Sequence, residues 1–286
     1  MIEKNTQKQR FETFKALHYN KQPLLLPNIW DTLSAGLIQD LGYEAIATSS
    51  SALALSKGYK DGQEMAFEEL LSQLRSIARI IHLPITVDLE NGFAKTDEEL
   101  IQNIKALLDI GIVGINYEDS NKPENKLIPI ETQSERIKSI KNIAKKYGVD
   151  IFVNARIDTY IHGEGLSLEE KLEETINRGL AYKAAGADCI FPILITKEDH
   201  IKELITQLKM PVNIMTFPGI PSLVTLNNIG VARISLGGSF IKLAIKSLKE
   251  FAIQFKNLEG LETLFNNDVS SDYLNHLISS NESSTA

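Results

Sequence analysis

The chain has 286 residues, 43% of them hydrophobic and 23% charged, with a formal net charge of −7. That is ample apolar material for a core, and an acidic balance without a basic stripe argues against a nucleic-acid surface. A lone Cys189, a charged N-terminal stretch without an apolar signal core, and the lack of any apolar run near the ~20 residues of a membrane span point to a soluble, cytoplasmic protein in a reducing setting.

The first apolar, β-rich run is LLLPNIW (24–30), followed by EAIATSS (44–50). FEELLSQLRSIARII (67–81) then spaces Leu and Ile three and four apart with charges opposite, which predicts an amphipathic helix opened by acids at its N-terminus. PITVDLE (84–90) returns to strand, and DEELIQNIKALLDIG (97–111) to helix. VGINYED (113–119) and DIFVNARID (150–158) are strands, and LEEKLEETINRGLAYKAAG (168–186) is a helix. DCIFPIL (188–194), the helix KEDHIKELITQLKM (197–210), PVNIMTF (211–217), ARISLGG (232–238) and a helix over 239–256 complete the series. Runs this continuously apolar fit strands buried on both faces of a parallel sheet. Eight strand-then-helix units in about 250 residues predict the α/β class and a (β/α)8 TIM barrel. A doubly wound sheet is the rival, and the absence of a crossover break favours closure. Residues 1–256 are read as the catalytic barrel. LEGLETLFNN and DVSSDYLNHLI supply extra C-terminal helices over 257–279, and 280–286 reads as a disordered tail.

Chemistry in such barrels gathers at the C-terminal ends of the strands. The polar residues there are Thr48, Ser49, Ser50 and Ser51, with Asp61 in the following loop, then Asp88, Glu90, Glu118 and Asp119. Asn154, Arg156, Asp158, Asn213, Thr216, Ser235, Gly237, Gly238 and Ser239 follow. Each has an ordinary reading: a Ser-rich turn, an Asp N-cap, a buried structural ion pair. Their convergence argues for more, because carboxylates crowded on adjacent strands repel and take up protons unless a cation neutralises them. No His accompanies these acids and the chain has one Cys, which disfavours zinc; hard oxygen ligands suit Mg²⁺ or Mn²⁺. The Ser cluster and Arg156 would hold a substrate carboxylate or phosphate, with Gly237–Gly238–Ser239 as the other anion site.

These residues resemble the isocitrate lyase and phosphoenolpyruvate mutase superfamily over about residues 10–255, through TSSSALA, VDLENGF, GINYEDS, VNARIDTY and GADCIF. The family's D-x-D-x-G-[YF]-G motif stands here as Asp88-Leu89-Glu90-Asn91-Gly92-Phe93. The resemblance implies that Asp88 and Glu90 bind Mg²⁺ directly or through water. Glu118 joins them through water, and Asp61 is the nearby loop acid. It assigns Ser49, Ser50, Ser51 and Ala52 to the loop that holds the substrate carboxylate; Asn213, a candidate strand-end residue of the run 211–217, is read as a further substrate contact. Arg156 is to grip the same oxyanion. It also implies a homotetramer, a dimer of dimers, paired through swapped C-terminal helices.

Departures from the family narrow the activity. Its lyases carry K-[KR]-C-G-H on the loop after GINYED, and this chain has Ser120-Asn121-Lys122-Pro123-Glu124-Asn125-Lys126-Leu127. The mutase K-x-N-S is echoed loosely by Lys122 or Lys126 with Asn125. Where lyases place a Glu and mutases a His, this chain has Ile193. The expectation is a Mg²⁺-dependent carbon–carbon lyase for a small 2-oxo or 2-hydroxy carboxylate. It is to resemble oxaloacetate decarboxylase or methylisocitrate lyase, with Arg156, Glu118 and Lys126 in catalysis and Tyr117, Lys126 or a water as a substitute donor. Phosphonomutase or phosphonopyruvate hydrolase chemistry is the alternative, and a catalytically idle metabolite-binding protein is the third reading.

Overall fold

The computed structural model describes residues 2–122 and 124–279, so the tail expected at 280–286 lies outside the described residues. The strands are β1 (Leu24–Leu26), β2 (Asn28–Ile29), β3 (Ile46–Thr48), β4 (Ile85–Asp88) and β5 (Gly114–Glu118). They continue as β6 (Phe152–Ile157), β7 (Cys189–Pro192), β8 (Asn213–Met215) and β9 (Arg233–Ser235). All pair in parallel; β2 to β7 form one ladder in chain order and β1, β9 and β8 another. A bridge between Ile190 and Val212 joins β7 to β8. β1 runs into β2 through Pro27, so the two ladders make one ring, the expected barrel.

The run 24–30 is thus one barrel strand broken at Pro27, which has no N–H to give to a ladder. Before the proline the strand pairs with β9, after it with β3. Asn28 closes the seam: its Oδ1 accepts from Leu236 N and Gly237 N, both at 2.8 Å, and its Nδ2 donates to Thr48 O at 2.7 Å. One amide therefore ties together the mouths of three strands.

The wall helices follow the predicted periodicity. α2 (Thr32–Asp40), α4 (Phe67–Ile80), α5 (Asp97–Asp109) and α6 (Ile130–Tyr147) come after β2, β3, β4 and β5. α8 (Leu168–Ala184), α9 (Glu198–Leu208) and α10 (Leu223–Asn228) follow β6, β7 and β8. Short helices α3 (Ser50–Ser56) and α7 (Thr159–His162) open the loops at the mouth. Capping boxes at Asp31/Ser34, Thr96/Glu99 and Ser167/Glu170 fix the starts of α2, α5 and α8. Outward strand residues such as Val87, Ile115 and Val153 pack with Leu74, Ile104 and Ile140 of the helices in one continuous core.

The N-terminal segment, read from sequence only as a charged stretch, is the helix α1 (Lys4–Leu17). Its Phe11, Phe14 and Leu17 make an apolar stripe at i, i+3, i+6. They pack with Leu24, Ala45, Val113, Phe152 and Cys189, residues at or near the strand starts. α1 thereby plugs the end of the barrel opposite the mouth, with Phe14 edge-on to Phe152 at 5.1 Å.

The C-terminal helices behave differently. α11 (Ser239–Lys256) buries none of its residues and meets the barrel near its own start, Phe240 against Trp30. α12 (Leu261–Phe265) buries none of its residues, and α13 (Ser271–Ile278) packs on α2. There Gly36 lets the Leu277 carbonyl approach so closely that a Cβ would lie 2.1 Å from it. Tyr273 OH donates to Asp40 Oδ2 at 2.8 Å. Among the described residues no helix is long and apolar enough to cross a membrane.

If α1 is the floor of the barrel, Phe14→Ala should cost about 3–5 kcal/mol in urea unfolding, the usual range for emptying a buried Phe site. A loss below about 1 kcal/mol, typical of surface positions, would show that the plug is dispensable.

Candidate active site

At the mouth the strands end in acid. Asp88 closes β4, and its oxygens are held by donors: Oδ2 accepts from Ser50 N at 3.1 Å and Ser50 Oγ at 2.7 Å, and Asn116 Nδ2 lies 3.4 Å from Oδ1. Its backbone N–H donates to Thr48 Oγ1 at 3.0 Å. Glu90 follows in a left-handed conformation, φ 50°, a strained state for a non-glycine residue. Its side chain is buried, and its backbone carbonyl accepts from Glu118 N at 2.9 Å. Asp61, in the loop after α3, lies 3.4 Å from Ser50 Oγ.

These acids feel one another. Burial, then the charges of Glu118, Asp88 and Asp61, push Glu90 up to about 9. Burial and Asp88 raise Asp61. Glu118 is raised by burial, opposed by Arg156. A carboxyl group pressed this far is protonated at neutral pH unless a cation joins it. The donor chemistry fits Mg²⁺ or Mn²⁺. Among the described residues no group of three or more acidic, His or Cys side chains is drawn tightly enough to hold an ion alone. Mg²⁺ suits such a sparse set, since it keeps several waters and needs one or two carboxylates.

Arg156 stands opposite. Its Nη1 is 2.9 Å from Glu118 Oε2, and its Nε and Nη2 are 2.7 and 3.3 Å from the two oxygens of Asp158. Burial opposes its charge, but Asp158 and Glu118 overcome it and hold the pKa above its ordinary value. The guanidinium is therefore an ion-pair partner first. Of its five N–H donors three are engaged, which leaves one on each Nη for a substrate oxygen.

Other predicted residues divide. Ser49 Oγ accepts from Ala52 N at 3.2 Å, the N-cap of α3, and Ser50 is committed to Asp88. Ser51 is half-buried, and a Cβ on Gly238 would come 3.5 Å from its Oγ. The serine loop and the Gly237–Gly238–Ser239 turn thus border one space rather than two.

Several expectations are corrected. Asp119 does not face the mouth: Arg178 Nη1 and Tyr182 OH donate to its Oδ2 at 3.0 and 2.8 Å, and Asp158 N to its Oδ1 at 2.8 Å. It is a structural acid in the wall. Tyr117 points the other way from Glu118, into the apolar core between strand and helices, as strand alternation demands. Lys126 is exposed, and its backbone N–H donates to Asn121 Oδ1. The loop lysine at the site is Lys122, whose Nζ lies 3.4 Å from Glu118 Oε1 and 3.3 Å from Asn125 Oδ1. Asn213 opens β8 instead of ending it; it is fully buried, Ser235 Oγ donates to its Oδ1, and its Nδ2 has no partner among the described residues.

Sequence reasoning also passed over residues. His162, at the end of α7, was not counted with the acids, yet the charges of Asp158, Lys122 and Arg156 act on it while burial lowers its pKa. Asn28, Asn116 and Arg233 are polar residues within apolar strand runs, and that was their available signal. Ile193 is buried after β7, so that position supplies no acid or base.

Residues 14–256 match the pattern of the phosphoenolpyruvate phosphomutase family. An uncharacterized protein of Mycobacterium tuberculosis is 32% identical over 225 residues, 79% of this chain and 81% of its own length. The 2-methylisocitrate lyase of Bacillus subtilis is 26% identical over 214 residues, 72% of this chain and 67% of that enzyme. A Burkholderia cenocepacia crystal structure, provisionally named a phosphonomutase, superposes with a TM-score of 0.82 at 34% identity, over 87% of this chain and 99% of that one.

Because Asp119 accepts from Arg178, Tyr182 and Asp158 N in the wall, Asp119→Ala should destabilise the fold by about 1–3 kcal/mol, with Arg178 keeping only Glu174 as its carboxylate partner. A variant that melts with the wild type and loses only activity would return Asp119 to the active site.

Proposed function

Because this chain belongs to the phosphoenolpyruvate phosphomutase family, within the isocitrate lyase and phosphoenolpyruvate mutase superfamily, we propose that it is a Mg²⁺- or Mn²⁺-dependent carbon–carbon lyase. Its substrate is a small 2-oxo or 2-hydroxy carboxylate, with oxaloacetate decarboxylation as the preferred reaction. One observation carries the reading: buried Glu90 and Glu118 and half-buried Asp88 crowd the mouth with Arg156, and Asp61 stands exposed at its rim. Asp88, Glu90 and Glu118 would hold the cation, with Asp61 alongside. When bound, the cation supplies positive charge to the oxygen on which negative charge grows as the C–C bond breaks.

The chain's own groups do the rest. Thr48 and Ser50 fix Asp88, and the free N–H groups of Arg156 receive a carboxylate oxygen of the substrate beside Ser51. Lys122 brings a second positive charge to the rim. The loop from Ser120 to Leu127 contains neither Cys nor His. Cleavage of a methylisocitrate-type substrate needs a placed proton donor, whereas decarboxylation releases CO₂ and its carbanion can take a proton from solvent. The second reading, phosphonate P–C chemistry, draws on the Lys122–Asn125 contact and on the Burkholderia likeness. It uses the same carboxylate grip.

Assembly belongs to the same proposal. Leu248, Phe255 and Phe265 are 64, 59 and 74% exposed along α11 and α12. An apolar surface of that kind marks an interface, and we assign it to a homotetramer of barrels, residues 1–256 being catalytic and 257–279 serving contact between subunits. The lone buried Cys189, which has no second Cys to pair with, favours a reducing compartment such as the cytoplasm.

Turnover of a 2-oxo acid and phosphonate panel, with and without Mg²⁺, separates lyase, mutase and idle binder. Asp88→Ala should keep the fold and abolish metal-dependent turnover; full activity in it would sink the site. Arg156→Lys should raise KM, since an ammonium lacks the planar fork, and unchanged kinetics would leave Arg156 purely structural. The missing general acid should lower kcat/KM on 2-methylisocitrate by roughly 10²–10⁴-fold against a competent lyase, with oxaloacetate less affected. Efficient methylisocitrate cleavage would overturn the decarboxylase preference. Deleting 257–279 should shift the protein to smaller species in size-exclusion chromatography, and an unchanged elution volume would count against the assembly.

A further inference from the structure

Arg233 opens β9, in register with Asn213 on one side and Leu24 on the other. It is fully buried inside the barrel beneath the mouth. Its Nη2 donates to Asn116 Oδ1 at 3.2 Å, while Nε and Nη1 have no hydrogen-bond partner among the described residues. A buried guanidinium so poorly matched is costly, and an apolar side chain of similar volume is often the more stable choice. Burial lowers Arg233 to about 10, which leaves it protonated at neutral pH. Packing alone does not explain a cation here.

Its contact does. Asn116 Oδ1 accepts from Arg233 and also from Asn154 Nδ2 at 2.8 Å. Arg233 is the donor that fixes the amide, because the Asn154 amide could turn over with it and offer its own unpartnered Oδ1, whereas a guanidinium has only N–H groups to present; turned over, Asn116 would set its NH₂ against that guanidinium. The Nδ2 is therefore directed at Asp88 Oδ1, 3.4 Å away. With Ser50 on Oδ2 and Thr48 on the backbone N–H, Asp88 is held from three sides.

We propose that Arg233 is a positioning residue that acts through Asn116 to set the orientation of Asp88. The inference rests on reading Asp88 as an acid of the cation site, and it extends that site one layer down the barrel. Groups behind a metal ligand commonly govern affinity by about 10–100-fold.

The test uses the full chain, with Mn²⁺ as the probe. Mn²⁺ binding to wild type, Arg233→Met and Arg233→Lys is measured by electron paramagnetic resonance without substrate, beside thermal unfolding and crystal structures. Arg233→Met should melt no lower than wild type, bind Mn²⁺ at least about tenfold more weakly, and show Asn116 turned from Asp88. Arg233→Lys, which can still donate to Asn116, should recover part of the affinity. A merely structural arginine gives the reverse, lower stability with unchanged affinity, and that result overturns the proposal. Should Arg233→Met fail to fold, Asn116→Leu tests the same link, and undiminished Mn²⁺ affinity in it is equally fatal. If wild type binds no Mn²⁺, the metal reading fails by itself. Arg233 is then judged by Asn116 in the Arg233→Met or Arg233→Lys crystal: an amide still facing Asp88 in Arg233→Met, or displaced equally in both, refutes the role, and one displaced only in Arg233→Met upholds it.

Discussion

Like charges crowded at the mouth of the barrel set the terms for the rest of this molecule. Burial and the neighbouring carboxylates raise the proton affinity of Asp61, Glu90 and Glu118, that of Glu90 most of all. Left alone Glu90 would protonate, and a protonated acid loses its attraction for a cation. The surrounding chain counters this with fixed donors and positive charge. Arg156 and Lys122 face Glu118 from the rim, Ser50 and Asn116 face Asp88, and Arg233 lies beneath. On the proposed reading, a divalent ion and an anionic substrate complete this charge balance.

The barrel supplies the rigidity this balance needs. Every acid but Asp61 is at the end of a strand or one turn beyond, where the ladder fixes the backbone. The Asn28 amide closes the seam that Pro27 opens, at the same level as the serine loop and the glycine turn. Asp119, one residue beyond Glu118, is tied into the wall by Arg178 and Tyr182. Adjacent acids on one strand therefore take opposite duties: one anchors the wall while its neighbour is presented to the mouth.

Much of this was legible in the sequence because the barrel writes its period plainly. Apolar strands alternating with amphipathic helices gave the class, and α4, α5, α8, α9 and α11 fall within two residues of their predicted starts and ends. The acids after β4 and β5 stood out against apolar runs, as did Arg156. What escaped notice depends on direction rather than residue type. Lys122 and Lys126 are equivalent in sequence, and only the turn of the loop brings Lys122 to Glu118. Asn213 looked like a mouth residue because a run 211–217 hides where the strand begins. Arg233 was overlooked because a charge within an apolar run reads as an interruption, not as a buried support. Helix α1 was passed over because its charges outnumber its three apolar contacts.

The account turns on one claim, that the acid cluster holds a divalent cation with a substrate carboxylate beside Arg156. The most direct measurement is anomalous diffraction from crystals grown with Mn²⁺ and oxalate, a stable mimic of a 2-oxo acid enolate. The account predicts one Mn²⁺ peak among Asp88, Glu90 and Glu118, with an oxalate oxygen on Arg156 next to Ser51. A cluster without Mn²⁺, its acids still paired only with Arg156, Lys122 and Ser50 at saturating metal and oxalate, would contradict it.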